Sequence, residues 1–231
     1  MLALFDLDNT LIDRSAGLEG WARSFVRSRR LPRTAESVVC DRLRERAYPA
    51  DFVHLRTVLG LREDPGNLWR EYVAGVARSV RPFPGVREGL EGLRRAGWTL
   101  GIATNGAGDI QRSKLDTTRL TPLFDGICVS AEVGVRKPER RLFEAAATAC
   151  GVELSAGGWM IGDNPDTDMD GARAAGLRTV WVANGRQWPD GQPEAGRCGA
   201  PSHRGHRAAA RGKGLARIAV RACMQLLHHK R

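Results

Sequence analysis

No apolar run in this 231-residue sequence approaches the roughly 20 residues that a bilayer-spanning helix needs. Cysteine is sparse and scattered: Cys40, Cys128, Cys150, Cys198 and Cys223 never fall in C-x-x-C spacing. That pattern argues against a zinc site, and the odd number argues against a disulfide framework. Free thiols suit a reducing compartment. No basic leader with a small-residue cleavage site precedes the first apolar segment, so a cytoplasmic protein is expected. Acidic side chains nearly vanish from the end of the chain. Residues 194–231 carry nine Lys or Arg against Glu194 alone, or +8 of the overall +10, so the basic character belongs to a tail. The tail also lacks Trp, Tyr and Phe, so nucleic-acid binding through it would be weak and salt-sensitive.

Two nucleotide-binding signatures are incomplete. GIATNGAG has a G-x-G after an apolar run, but Gln111 stands where the third glycine of a dinucleotide fingerprint belongs. It also lacks the Lys-Ser/Thr of a P-loop.

What is present is an alternation. Short apolar segments at 2–7, 98–104, 126–130, 159–163 and 179–183 read as strands. Helical patterns lie at 85–97, 109–120, 138–151 and 164–176. Strands alternating with helices predict a parallel sheet with right-handed crossovers in a doubly wound α/β structure. The first strand breaks the rhythm, because about 70 residues separate Ile12 from Pro82 and Pro84, far more than an ordinary connection. Apolar residues recur there at three- and four-residue spacing, as in 18–28 and 67–80, which predicts an inserted helical region.

In such folds the functional site lies at the carboxyl ends of the strands. LALFDLDNTLID places Asp6 and Asp8 two residues apart there, on one face if both are extended. Two close carboxylates need a compensating cation or hydrogen-bond donors. A hard divalent ion such as Mg²⁺ would serve, and so would a turn in which Asp and Asn cap the backbone. A calcium loop does not fit, since Leu11 takes the place of the required Gly and Gly17 that of the bidentate Glu. The ends of the later strands add Thr104 and Asn105, then Lys137 in GVRKP, then Asp163 with Asp168 five residues on.

This ordered set resembles the haloacid dehalogenase (HAD) superfamily over about residues 1–185. DLDNT is similar to its D-x-D-x-T motif, IATN to its apolar run ending in Thr or Ser, RKP to its motif-three Lys, and GDNPDTD to its G-D-x4-D form. The resemblance implies a Rossmann-like core from residues 1–13 and 82–190 and a helical C1-type cap at 14–81, while composition predicts a basic, disordered tail at 191–231. The resemblance further implies that Asp6 is a nucleophile forming an aspartyl-phosphate. Mg²⁺ would be held by Asp6, the main-chain carbonyl of Asp8, and Asp163. Asp8 would act as acid and base, Thr104 and Asn105 would hold the phosphoryl group, and Lys137 would balance its charge. Asp168 would orient Lys137 or the metal's waters from behind, and Thr10 would shape the loop through its hydroxyl. Asp166 and Asp170 would be solvated or capping, and Asp13 has no assignment.

The expected activity is a Mg²⁺-dependent phosphatase for a small phosphorylated metabolite, because relatives that cleave carbon–halogen bonds lack an acid at the position of Asp8. A sugar-phosphate mutase of the same superfamily is the alternative, as is a non-catalytic protein binding nucleic acid through its tail. After about Pro193 the sequence departs from the family's edge segment and closing helix, as an altered reading frame or terminus would produce.

Overall fold

The computed structural model describes residues 1–189 and the backbone of a short strand at 196–198. The chain begins with β1 (Leu2–Phe5), followed by four helices: α1 (Arg14–Ser28), α2 (Thr34–Leu43), α3 (Pro49–Val58) and α4 (Pro65–Ser79). Then come α5 (Val86–Arg95), β2 (Thr99–Thr104), α6 (Gly108–Thr117), β3 (Gly126–Val129) and α7 (Ser130–Val133). The chain continues through α8 (Arg140–Ala149), β4 (Trp159–Gly162), a π-helical turn (Pro165–Asp170), α9 (Gly171–Ala174), β5 (Arg178–Val182) and β6 (Gly196–Cys198).

The six strands form one parallel sheet in the order β3-β2-β1-β4-β5-β6. β1 is central, pairing Leu4 with Gly101 on one side and Met160 on the other. Every residue of β1 and β4 is buried, as expected of strands covered on both faces. Leu142, Phe143, Ala146 and Ala147 of α8 pack with Leu2, Leu4 and Met160 to form one layer of this core. Gly101 is required at its place in β2, because a Cβ there would come within 2.7 Å of Leu4 Cδ2 and 2.5 Å of Cys150 Sγ.

The described chain groups into two compact units. One contains Met1–Ile12, Pro82–Asn105 and the chain from Leu120 onward; the other contains Asp13–Arg81 and Gly106–Arg119. The second unit is helical. Its α1–α4 form the region inserted between β1 and β2, and α6 joins them. Trp69 of α4 donates its indole N–H to Asp109 Oδ2 of α6 at 2.6 Å. Trp21, Phe52, Trp69 and Tyr72 pack ring against ring, with Trp21–Tyr72 edge-on at 4.9 Å between centroids. Gly75 makes room for this, since a Cβ there would meet Trp21 at 2.2 Å. Asp13, without a role in the sequence reading, is the N-cap of α1, where its carboxylate accepts from Ala16 N–H.

Three elements differ from the sequence expectation. The first strand ends at Phe5 rather than continuing to residue 7. Asp8 then bridges to Ile12, and a tight turn follows it: Leu11 and Ile12 both donate to the Leu7 carbonyl and Asn9 takes φ +56°. The 164–176 pattern is not one α-helix but a π-helical turn leading into α9. The third is a short edge strand within the segment expected to be disordered: the backbone of Gly196–Cys198 pairs with Val180–Val182. The rest of the tail lies outside the described residues. Among the described residues, no helix is long and apolar enough to cross a membrane.

Candidate active site

The site is built from strand tips. β1 delivers Asp6, whose N–H still bonds the Ile161 carbonyl of β4 and so fixes its position relative to that strand. β4 delivers Asp163 one residue past its end. Asn164 then caps the π-helical turn by accepting from the N–H groups of Asp166 and Thr167. That turn folds Asp168 back over β4, where Oδ2 accepts from Asn164 N–H at 3.0 Å. Gly162 permits the fold-back, because any Cβ there would lie 2.3 Å from Asp168 Oδ2. Gly171 similarly allows close approach to Pro138, whose Cα would be 2.7 Å from an added Cβ.

Lys137 reaches the same point from the loop after α7. Asn105, just beyond β2, clamps its main chain: Lys137 N–H donates to Asn105 Oδ1 at 2.9 Å, and Asn105 Nδ2 donates to the Lys137 carbonyl at 3.1 Å. The buried ammonium lies 2.7 Å from Asp6 Oδ1 and 2.6 Å from Asp168 Oδ1. Oxygens of Asp6, Asp163 and Asp168 all lie within 4.8 Å of one another. Asp6 and Asp168 are buried, and Asp163 is half-buried.

Three carboxylates against one buried ammonium leave an excess of negative charge. Burial pushes the Asp6 carboxyl up to about 8; Lys137 opposes the shift, while Asp168 and Asp163 add to it. Asp163 is raised to about 7, again by burial first and then by Asp168, with Arg186 and Lys137 opposing. Burial alone would lower Lys137, but Asp168 and Asp6 outweigh it and hold the amine protonated, above its ordinary range. Hard carboxylate oxygens, crowded until two resist ionising, are a donor set that fits a divalent cation. Two other buried oxygens, Thr10 Oγ1 and Asn184 Oδ1, have no hydrogen-bond partner. Asn184 Nδ2 donates to the Asn9 carbonyl beside Thr10. The Thr10 hydroxyl therefore does not brace its loop as expected.

The structure thus brings together Asp6, Lys137, Asn105, Asp163 and Asp168. Thr104 is buried at the end of β2. Asp8 is half-buried just before the turn and is not one of the carboxylate trio. Asp170 pairs instead with Arg173. Sequence reasoning missed Arg186, which lies 2.9 Å from Asp163 Oδ2. Its signal was available: Asn184 and Gly185 form an Asn-Gly turn with φ +49° and +81°, closed by Arg186 N–H to the Ala183 carbonyl at 2.9 Å. That turn lies just past β5, at the edge where the other site residues sit.

The model of the haloacid dehalogenase-like hydrolase family matches residues 3–182. The chain belongs to this family. It is 30% identical over 197 residues to a glyceraldehyde 3-phosphate phosphatase of Pyrococcus abyssi, covering 79% of this chain and 81% of that one. It is 42% identical over 129 residues to a phosphoserine phosphatase of Thermus thermophilus, covering 54% of this chain. In that case the chain spans about half the length of its relative, 51%. Among solved structures, magnesium-bound YfnB from Bacillus subtilis shares the HAD fold at a TM-score of 0.67 and 22% identity, over 85% of this chain and 92% of that one.

Proposed function

We propose that the protein is a Mg²⁺-dependent phosphatase that hydrolyses a small phosphorylated metabolite through an aspartyl-phosphate on Asp6. The observation that carries this is the buried Lys137 amine bridging Asp6 and Asp168, with Asp163 in the same carboxylate cluster. The phosphatase names of the curated relatives and the bound magnesium of YfnB support the same reading.

Asp6, Asp163 and the main-chain carbonyl of Asp8 would hold the ion. When bound, Mg²⁺ neutralises the clustered carboxylates and polarises the phosphoryl oxygens. A carboxylate oxygen of Asp6 attacks phosphorus, and the bond from phosphorus to the leaving oxygen breaks. Asp8 gives its proton to that oxygen. It then takes a proton from water as the water attacks the acyl phosphate, releasing inorganic phosphate and regenerating Asp6. Thr104 and the Asn105 N–H hold the phosphoryl oxygens, and Lys137 offsets the charge that builds on them. The Asp168 carboxylate keeps the ammonium in place, and the Asn105 side chain fixes the backbone that carries it. The inserted helices are assigned the role of the family's cap, opening for exchange and excluding water during transfer. A reducing, cytoplasmic setting accords with the free thiols of Cys40, Cys128 and Cys150.

Aryl-phosphate hydrolysis measured with and without Mg²⁺, for the native protein and Asp6→Asn, tests the proposal. Metal-dependent turnover abolished by the substitution is expected. Turnover unchanged by it would refute the nucleophile, and an absolute requirement for a sugar bisphosphate would indicate a mutase.

A further inference from the structure

Asp163 has two carboxylate oxygens, and one is already committed. Arg186 donates to Oδ2 at 2.9 Å and, through the same nitrogen, to the main-chain carbonyl of Asp163. That carbonyl also accepts the indole N–H of Trp181 at 2.9 Å. The guanidinium is held in turn: its Nε donates to the Ala183 carbonyl at 3.2 Å, and it lies over the Trp181 ring at 5.8 Å. Trp188 packs edge-on against Trp181 at 5.0 Å, backing the arrangement. A half-exposed arginine is thereby folded back by the Asn-Gly turn onto one side of a candidate metal ligand. Oδ1 is left as the oxygen that Asp163 can offer a cation.

We propose that Arg186 is a positioning residue that restricts Asp163 to one-oxygen coordination and so selects Mg²⁺ over Ca²⁺ at this site. This rests on the reading of Asp163 as a metal ligand. The physical basis is the difference between the two ions. Mg²⁺ accepts six ligands in a tight octahedron and takes carboxylates through one oxygen while keeping several waters. Ca²⁺ seeks six to eight oxygens and gains from carboxylates that bind through both. A guanidinium on Oδ2 therefore costs Ca²⁺ a ligand and costs Mg²⁺ none. Its positive charge repels both ions alike, so charge alone cannot set the preference between them.

The test is calorimetric titration of the full chain with MgCl₂ and with CaCl₂, for the native protein, Arg186→Gln and Arg186→Lys, without substrate. In Arg186→Gln, Ca²⁺ binding is expected to tighten about tenfold more than Mg²⁺ binding, since Oδ2 is freed. Arg186→Lys keeps the charge but loses the Nε bond to the Ala183 carbonyl and the planar group over Trp181 that hold the donor in place, and a partial shift of about threefold is expected. Equal tightening of both ions in Arg186→Gln, or a preference within about twofold of native in both variants, would overturn the proposal. If the native protein binds neither ion, the metal reading of the site falls as well. Native binding with an unaltered preference in the variants sinks the Arg186 role alone.

Discussion

The helical unit and the strand tips of the sheet unit are both densely buried, but one is filled with rings and the other with charges. Trp21, Phe52 and Tyr72 in the helical unit exclude water and pack ring against ring. Aromatic pairs of this kind contribute roughly 0.5–1.5 kcal/mol beyond their buried area. At the strand tips, Asp6, Lys137 and Asp168 are equally inaccessible, with two carboxylates sharing one ammonium. Burying ions costs several kcal/mol apiece, and good geometry only offsets that cost. Stability is therefore expected to reside in the first region and chemistry in the second. Substitutions should separate the two.

The largest effect expected is on turnover. Asp6→Asn should lower aryl-phosphate hydrolysis at least about 10³-fold, roughly 4 kcal/mol in the barrier, while the melting temperature stays level or rises. Removing one of three crowded carboxylates relieves repulsion, which a thermal melt would detect. Phe52→Ala should do the reverse, costing about 3–5 kcal/mol in denaturant unfolding with little change in Mg²⁺ affinity below the transition. A substitution in either region that moved both quantities together would break the contrast.

Acidity sharpens it next. Asp6 and Asp163 are raised to about 8 and about 7, so between about pH 4 and 8 the folded metal-free protein keeps protons that the unfolded chain has released. Its stability should accordingly fall as pH rises through that window. A divalent cation must displace those protons, so its affinity should climb by up to about tenfold per pH unit for each proton lost, levelling off above pH 8. Titrations at pH 6, 7 and 8 check the direction; affinity that falls with pH would contradict it. The smallest effect belongs to the helical unit. Asp64 caps α4 by accepting from the N–H groups of Gly66 and Asn67. Asp64→Ala should cost about 1 kcal/mol in unfolding and leave turnover unchanged.

Much of this contrast was legible in the sequence, and its gaps have physical causes. Five strands showed as apolar runs because strands buried on both faces must be apolar along their length. β6 did not, since Gly-Arg-Cys holds too little apolar surface to register, and only its pairing with β5 reveals it. The π-helical turn was hidden because 164–176 carries ordinary helix signals. There Asp168 folds back over Gly162, a contact that helical periodicity does not encode. The membership of α6 in the helical unit was equally invisible, resting on a Trp69–Asp109 bond between residues 40 apart. Asp6, Lys137, Asp163 and Asp168 were legible because the fold rule sends strand-end residues to one edge. Arg186 lies at that edge too, but the Asn-Gly turn that folds it back gives no sign of its partner, 23 residues away.

The most direct measurement is reductive trapping of the reaction intermediate. The native protein is mixed with an aryl phosphate and Mg²⁺, quenched, treated with borohydride, and digested for peptide mass spectrometry. An acyl phosphate at Asp6 predicts conversion of that residue to homoserine, dependent on both substrate and metal. Reduction at a different carboxylate, or turnover with no reducible intermediate at all, would contradict Asp6 as the phosphoryl acceptor.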